Sequence, residues 1–462
     1  MLIRVLIKKY LIRINFFLFT SLLSCQEIPN EFFDFMEYKV LSENGFNWSE
    51  NTSFGPFRYK NNLPLNDSLR IISRFGTVIS DKSKSLYGYG HFTYKKYFHG
   101  YLYPRVVDNP SSVERFSGLA RDISRGGFRA GETDLSGISF EKDWLIFQFG
   151  RGRQSWGAGN DIQLLLSENS PPYDYGLVDL NFSNLRVRYF HGFLESDSLQ
   201  NNRYINGRGI EWINNKNLLI SLSEIIIYSG INRNIDFAYL NPISTHLEIE
   251  LNEKQNLKGT DNGNGAWQIS IDFLTSKKSR LSFNYLFDEF TLDKSQQENG
   301  KEKFNAYSFK FVKSLSRNNN HLLNIYSSTV VIGKNTFRHE DGKNNFVHRN
   351  QPLGHRLGSD FNLYNIGINS FYNRKILSSI EIGYKEKGLN TIITDPYHSY
   401  NFSDENDNKI TINKYININL DYWHERNILL FSKGEFIIQN NDKKSFNFTL
   451  GLNIYLNILK VI

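Results

Sequence analysis

Apolar and polar residues alternate with a period of two along much of this chain. In the last segment, every even-numbered residue from Phe446 to Ile458 is apolar, whereas the odd-numbered residues between them are Asn, Thr, Gly or Tyr. Residues 409–422 follow the same alternation over most of their length. Because successive side chains of a strand point to opposite faces, each segment predicts one long strand with an apolar and a polar face. In residues 409–422 we expect the even-numbered side chains to face lipid.

The length of these segments narrows the fold class. Strands of soluble sheets are usually about five or six residues long, whereas outer-membrane barrels have longer strands with a lipid-facing apolar side and a polar lumen. Aromatic residues, which form the interfacial girdles of such barrels, make up 15% of the chain. After residue 25, no run of about 18 apolar residues offers a transmembrane helix. We therefore predict an all-β protein, a transmembrane antiparallel β-barrel whose closure satisfies every backbone group.

Short and long connections alternate between the predicted strands. Outer-membrane barrels place short turns on the periplasmic side and long loops on the extracellular side. From residue 69 onward the pattern predicts about 18 strands, an even number with both ends on the periplasmic side. Of the connections predicted on the extracellular side, only residues 440–444 are short. The short turns are predicted at 214–217, 276–279, 315–320, 373–375 and 424–426, and the long loops at 230–264, 294–302, 335–359 and 389–408.

The N-terminus carries an export signal. Residues 1–25 combine four basic residues with an apolar run from Ile14 to Ser24, as a secretory signal peptide does. Removing this segment lowers the formal net charge from +7 by four, to +3. A net charge this small does not indicate a nucleic-acid-binding protein. The single cysteine, Cys25, excludes a disulfide framework and stands either in a lipidation site or just before ordinary cleavage. Residues 26–68 are predicted to form a periplasmic or lumen-plugging segment ahead of the barrel domain, residues 69–462.

The densest local motif is GRGRQSWGAGNDIQLLLSENSPP, residues 150–172. Gly152 and Gly157 have the spacing of half a phosphate-binding P-loop, but Ala158 and Gly159 replace the required Lys and Ser or Thr. The motif therefore has no group that reaches a phosphate or holds Mg²⁺. It lies between two predicted strands on the long-loop side, so we expect it outside the membrane or folded from outside into the lumen.

This motif and several others, in the same order, resemble the capsule assembly Wzi family. The family signature corresponds here to Gly150-Arg151, Trp156-Gly157-Ala158-Gly159, the run 164–169 and Pro172, with Ala158 where the family has proline. The resemblance covers about residues 50–390. It implies an 18-stranded outer-membrane barrel that acts as a lectin and holds capsular or other extracellular polysaccharide at the cell surface. Further landmarks are Arg203-Tyr204, Gly209, Tyr239-Leu240-Asn241-Pro242, Asp288-Glu289-Phe290 and Pro352-Leu353-Gly354-His355.

Several residues in these motifs suit contact with sugars. Trp156 either stacks on a sugar ring or packs the loop into the barrel mouth. Arg151 and Arg153 either bind the carboxylates of acidic sugars or pair with carboxylates of the lumen. Asp161 is expected to accept hydrogen bonds that close the loop. The candidate glycan-binding residues are Arg151, Arg153, Trp156, Asp161, Tyr239, His355 and Arg356.

The sequence gives no sign of catalysis. Asp288 and Glu289 are adjacent, so a strand turns them to opposite faces and they do not form a glycosidase pair. His348 and His355 have no third spaced ligand for a metal, and no Gly-x-Ser-x-Gly nucleophile motif occurs. We predict a non-enzymatic outer-membrane protein without cofactor or metal, whose partners are polysaccharide and outer-membrane lipid. The alternative is a transport channel, in which loops line a charged constriction.

Overall fold

The computed structural model describes Pro29, Phe32, Met36, Lys39, Ser53, Phe54 and residues 69–461, except 96, 114, 123, 215, 257–262, 277, 289–303, 319, 390, 400–409 and 441–442. The predicted signal peptide with Cys25, the acidic residue Glu289 and the predicted loop 294–302 lie outside the described residues. Within the described ranges, no helix is long and apolar enough to cross a membrane.

The chain forms one closed sheet of 18 antiparallel strands. The barrel strands are β1 (Arg70–Ser80), β2 (Lys84–Tyr94), β3 (Phe98–Val107), β4 (Ala130–Lys142), β5 (Leu145–Gly152), β6 (Tyr173–Phe182), β7 (Leu185–Ser196), β8 (Asn201–Ile213), β9 (Leu218–Ile231), β10 (Asn264–Ser276), β11 (Ser279–Phe287), β12 (Asn305–Asn318), β13 (His321–Ile332), β16 (Phe361–Tyr372), β17 (Ile376–Lys387), β18 (Thr411–Glu425), β19 (Ile428–Gln439) and β20 (Lys444–Val461). Two short strands, β14 (Val347–His348) and β15 (Gln351–Pro352), form a small hairpin inside a loop. Each barrel strand pairs with its neighbours along the chain, and β1 also pairs with β20, which closes the barrel. The predicted all-β barrel of 18 strands is confirmed.

The two faces of each strand follow the alternation in the sequence. In β18, Ile416 and Ile418 point out of the barrel and are 38% and 52% exposed, whereas Tyr415 points inward and is 7% exposed. Phe446 and Leu456 of β20 are likewise exposed on the outside. The register expected for these strands is confirmed. An apolar outer belt of this size suits hydrocarbon and not water.

Connections at the two ends of the barrel differ in length. At one end, the turn end, consecutive strands are joined by two to four residues. The prediction that only residues 440–444 are short at the other end, the loop end, is wrong, because 81–83 and 197–200 are short as well. The Asp197 carboxylate accepts backbone hydrogen bonds from Leu199 and Asn201, at 2.9 and 3.0 Å, and this local cap reverses the chain. The long connections of the loop end are 108–129, 153–172, 232–263, 288–304, 333–360 and 388–410.

Two of the long loops fold into the lumen and fill part of it. We call residues 153–172 and 333–360 the plug. Their backbones meet where Ser167 donates to the carbonyl of Leu353 at 3.0 Å and His355 donates to the carbonyl of Leu164 at 3.1 Å. Gly354 permits this approach, since a Cβ at its position would overlap the carbonyl oxygen of Leu164. The plug and the inner wall share one hydrophobic core, which includes Trp156, Leu166, Phe346, Leu353, Phe190, Ile225 and Val330.

Several described residues that precede the barrel contact its inner face or the plug. Phe32 packs against four inward-facing tyrosine rings of the wall, with ring centroids 5.4–6.0 Å apart. At the plug, the ring of Phe54 lies 4.9 Å from that of Trp156, and the backbone nitrogen of Ser53 donates to Glu211 at 2.5 Å. Phe32 and Phe54 therefore lie inside the barrel.

Candidate functional site

Trp156 lies at the centre of the plug core with no exposed surface. Its ring is 4.9 Å from that of Phe54 and 5.3 Å from that of Phe190, an inward-facing residue of β7. The backbone of Trp156 pairs with Leu166, so the glycine-rich stretch folds back on itself. Trp156 therefore packs the loop into the barrel.

Arg153 belongs to a buried ion-pair network. Its guanidinium binds both carboxylate oxygens of Asp134 and donates to the carbonyl of Ser170 at 2.9 Å. Arg105 shares Asp134 at 3.1 Å and pairs with Glu132 at 2.6 Å. Each of the four charged side chains is less than a tenth exposed. Arg153 thus pairs with carboxylates of the inner wall, and these pairs compensate the desolvation of its charge.

Arg151 lies on the outer side of the wall, near the loop end of β5. The residue two positions before it, Phe149, is exposed on the same outward face. The Arg151 guanidinium donates to the carbonyl of Thr133 at 3.0 Å and lies 3.4 Å from Asp174, which is exposed on β6. Arg151 and Arg153 therefore lie on different faces of the barrel and do not share a binding site.

Tyr239 lies between β9 and β10 in a separate aromatic cluster. Its ring stacks on Tyr228, with centroids 4.4 Å apart and planes 15° apart. Arg233 lies over both rings, at 4.7 and 6.0 Å, and pairs with Asp236 at 3.1 Å. Burial, together with the charge of Glu250, raises the pKa of Tyr239 well above its ordinary value, so its phenol stays protonated and donates to Glu250 at 3.3 Å. The cluster holds this loop together and buries Tyr239 completely.

Asp161, His355 and Arg356 come together at the surface of the plug. His355 stacks on Phe361, with centroids 5.0 Å apart, and hydrogen-bonds to the backbone of Asp161. Burial, and then the positive charge of Arg356, lower the pKa of His355 to about 3, so its imidazole is neutral at physiological pH. The Asp161 carboxylate is 53% exposed and pairs with Lys39 at 2.6 Å, while Arg356 is exposed. Whether any of the seven candidate residues contacts a glycan stays a prediction.

A polar section of the inner wall lies beside this part of the plug. Glu381, Asn417, Glu435 and Asn447 stand side by side at one level of the adjacent strands β17–β20. Asn447 points inward and is exposed to solvent. Lys433 lies on β19, two residues nearer the turn end than Glu435, and it too points inward and is exposed. Inward-facing side chains keep such exposure only where water enters the lumen.

We call the water-exposed inner wall around Lys433 and Asn447, together with Arg356 and Asp161 of the plug beside it, the lumenal cleft. Arg356 of the plug interacts electrostatically with Lys385 of β17 and with Tyr415 of β18. Asp161 lies close enough to Arg356 to feel its charge. The sequence pattern identified the inward face of β18, but it did not single out Asn417 or its neighbours, because many inward positions of a barrel are polar.

The lumenal cleft offers hydrogen-bond donors and acceptors of several kinds in one place. Amide side chains present both, carboxylates accept, and the Lys433 and Arg356 side chains donate. Such a set matches the hydroxyl groups of sugars and of other polar solutes. Within the part of the chain that the structure describes, no group of three or more His, Cys, Asp or Glu residues could hold a metal ion. The arrangement suits non-covalent binding or passage of a polar solute.

Comparisons with known proteins relate this architecture to outer-membrane barrels. No protein-family model matches the sequence, and no curated protein shows significant sequence similarity to it. The solved structure of Wzi from Escherichia coli, an outer-membrane protein involved in group 1 capsule assembly and a carbohydrate-binding β-barrel, is 12% identical, covers 84% of each chain and has a TM-score of 0.58. OprD of Pseudomonas aeruginosa is 9% identical over 86% of this chain and 95% of its own, with a TM-score of 0.44. At these identities the similarity shows the fold alone, an outer-membrane β-barrel of the kind found in Wzi.

Proposed function

We propose that this protein is an outer-membrane barrel that binds or organises capsular or other extracellular polysaccharide at the bacterial surface. The observation that carries the proposal is the plug, whose two loops pack around Trp156 inside the barrel. The packed core holds Asp161 and Arg356 in fixed positions beside the lumenal cleft. A preorganised surface loses little conformational freedom when a ligand binds, which favours affinity.

Two similarities support this function. The fold is like that of Escherichia coli Wzi, which binds carbohydrate. Residues 150–172 and the landmarks that follow them resemble the sequence signature of the Wzi family in the same order. The motifs are a likeness of sequence, which lies partly in β5 and β8 and partly in the loops, whereas the fold likeness rests on the backbone of the barrel as a whole.

The proposed orientation puts the loop end outside the cell. Outer-membrane barrels keep short turns in the periplasm and long loops at the surface. The lumenal cleft then lies beneath the long loops, and Arg356 and the amides around it meet polymer that enters from outside. Attachment to the membrane comes from the apolar outer belt of the strands.

Glycan binding is tested by filling the cleft. Asn447→Trp places a large side chain into the solvent-exposed inner face, whereas Phe448→Trp changes the next residue, which points outward. We expect Asn447→Trp to weaken binding of the bacterium's own surface polysaccharide by at least about tenfold, which corresponds to ~1.4 kcal/mol. Binding to detergent-purified protein is measured by biolayer interferometry, and heat-modifiability on a gel reports folding. Unchanged binding by folded Asn447→Trp would contradict a glycan site in the cleft.

A transport channel is the second candidate function. It is favoured by the exposure of Lys433 and Asn447 to water inside the barrel. Single-channel recording in a planar bilayer separates the two functions. We expect little or no steady conductance, because the plug occupies part of the lumen and narrows the path through it. Large, stable conductance steps that Asn447→Trp reduces would make the channel the better description.

A further inference from the structure

A groove of about 570 Å³ crosses the outer wall of the barrel from β13 to β19, and we call it the outer groove. Two rows of outward side chains border it, and the members of each row are cross-strand partners on adjacent strands. The row nearer the turn end consists of Ser327, Ile366, Ile382, Ile416 and Phe436. The row nearer the loop end consists of Thr329, Tyr364, Tyr384, Lys414 and Ile438.

The floor of the outer groove is formed by backbone. The residues between the two rows occupy inward-facing positions, so their side chains point away from the groove. They are Ser328, Asn365, Gly383 and Tyr415. From β13 to β19 the groove spans four strand spacings, about 19 Å. This length exceeds half of the hydrocarbon core, about 15 Å, which is the depth of one leaflet.

The position of the outer groove decides what fills it. Ile366 and Ile382, which border it, are exposed on the apolar outer belt of the barrel, and this belt meets lipid. An apolar groove does not hold ordered water. Hydrocarbon that enters it gains van der Waals contacts with both rows. The groove is therefore suited to an acyl chain.

The two rows differ in polarity. The turn-end row is apolar except for Ser327, whereas the loop-end row contains two tyrosine hydroxyls and the Lys414 ammonium. Lys444 extends the loop-end row, because it pairs with Ile438, which pairs with Lys414. Lys414 and Lys444 are exposed, and neither forms an ion pair with any described residue. They are two strands apart, about 10 Å, so an anion between them lies within reach of both flexible side chains.

The surroundings of Lys414 favour an anion that belongs to the membrane. Its outward neighbours along β18, Ile412 and Ile416, are both apolar. A cation among apolar groups at a membrane surface is costly unless it reaches water or meets an anion. The Glu386 carboxylate on the same face of β17 already accepts a hydrogen bond from Asn362 at 2.7 Å. The phosphate of a lipid supplies the missing anion at the edge of an apolar groove.

We propose that the outer groove binds an acyl chain of a phosphorylated glycolipid, whose phosphate lies between Lys414 and Lys444. Asn362 and Glu386, which face outward on the loop-end side of the groove, offer hydrogen bonds to the sugar hydroxyls of such a lipid. The proposed orientation of the barrel puts this side of the groove in the outward-facing leaflet. The inference uses that orientation but does not depend on polysaccharide binding.

The test uses one variant that fills the outer groove and one that removes its charges. Ser327→Trp fills the groove, and Ser432→Trp is its control, because Ser432 also faces outward but does not line the groove. Lys414→Gln with Lys444→Gln removes the two cations, and the control is Lys216→Gln with Lys278→Gln, which removes two exposed charges at the turn end.

Lipid binding to detergent-purified protein is measured by native mass spectrometry, with lipid A and phosphatidylglycerol as the probes. We expect the groove-filling variant and the lysine variant each to bind lipid A roughly tenfold more weakly than wild type. Both control variants should bind lipid A as wild type does. Heat-modifiability on a gel reports folding, and all the variants should bind surface polysaccharide as wild type does.

Four outcomes overturn the inference. The first is equal lipid A binding by all folded variants. The second is a loss of binding in Ser327→Trp without a loss in the lysine variant, since an acyl chain would then bind without its phosphate. The third is tighter binding of phosphatidylglycerol than of lipid A by wild type. The fourth is a wild-type dimer that Ser327→Trp dissociates, which would make the groove an interface between two copies. None of these outcomes bears on the proposed function, which fails if wild type binds no polysaccharide.

Discussion

The ring of Phe54, which precedes the barrel, lies 4.9 Å from the ring of Trp156 in the plug. Arg188 of β7 lies over the Phe54 ring at 5.7 Å and pairs with Asp179 at 2.6 Å. A buried ion pair of the wall therefore borders the aromatic contact. The N-terminal segment, the plug and the wall meet at this point, so the position of the plug depends on residues that are distant in the chain.

Replacing Trp156 by alanine should destabilise the folded barrel by about 3–5 kcal/mol, because it leaves a cavity between Phe54 and Phe190. The loss is measured as a lower temperature of unfolding in detergent, followed by gel mobility. Trp144→Ala is the matched control, since Trp144 is 53% exposed at the turn end. Polysaccharide binding should fall only in proportion to the folded fraction. A fully stable Trp156→Ala protein that no longer binds polysaccharide would contradict the packing role.

Replacing Gly354 by alanine should loosen the plug. The added Cβ would overlap the carbonyl oxygen of Leu164, so the two loops must move apart at a cost of about 1–3 kcal/mol. We expect a lower unfolding temperature and a larger conductance in planar bilayers. Gly90→Ala serves as the control, because a Cβ there meets no atom within 4 Å. Identical unfolding temperatures for the two variants would argue against the close approach of the loops.

His355 should make the folded protein less stable in acid. Burial first, and Arg356 second, lower its pKa to about 3, whereas an unfolded histidine titrates near about 6.5. Between these two pKa values the unfolded chain binds a proton that the folded protein does not. The contribution of His355 to the free energy of unfolding is therefore complete above about pH 6.5 and is lost as the pH falls toward 3. The loss is at most ~1.4 kcal/mol per pH unit. His355→Gln cannot titrate and should flatten this part of the pH dependence, measured by urea unfolding between pH 4 and 8. Curves of equal slope for wild type and variant would show that His355 is not buried in its neutral form.

Cysteine substitutions test the two faces of β18. Asn417→Cys should react with a membrane-impermeant maleimide, because position 417 faces the lumenal cleft opposite Glu435. Ile416→Cys should react poorly, because position 416 points outward into lipid or detergent. Labelling of the wild-type protein, whose single cysteine is Cys25, gives the background. Strong labelling at 416 with none at 417 would mean that the register of the strand is reversed.

The local pattern of the sequence was enough to predict the barrel. The period of two that turns Ile416 outward and Tyr415 inward belongs to any extended chain, so it needs no knowledge of neighbouring strands. The number of strands follows from the same pattern together with the spacing of the turns, and 18 strands close the sheet. The alternation of apolar and polar residues did not predict that the connection 197–200 is short. This turn depends on backbone hydrogen bonds to the Asp197 carboxylate, which the alternation does not reveal.

Only the tertiary structure decided which polar residues of the motifs are engaged and which are open. Arg151 and Arg153 are two positions apart, yet one lies on the outer wall near Asp174 and the other is buried against Asp134. A loop has no fixed period, and whether a buried charge is tolerated depends on a partner that a distant strand supplies. The sequence by itself determined that Asn417 faces inward. Whether water reaches Asn417 depends on how the plug packs against the wall. The pattern of one strand does not predict this, because a cleft depends on the shapes of both surfaces.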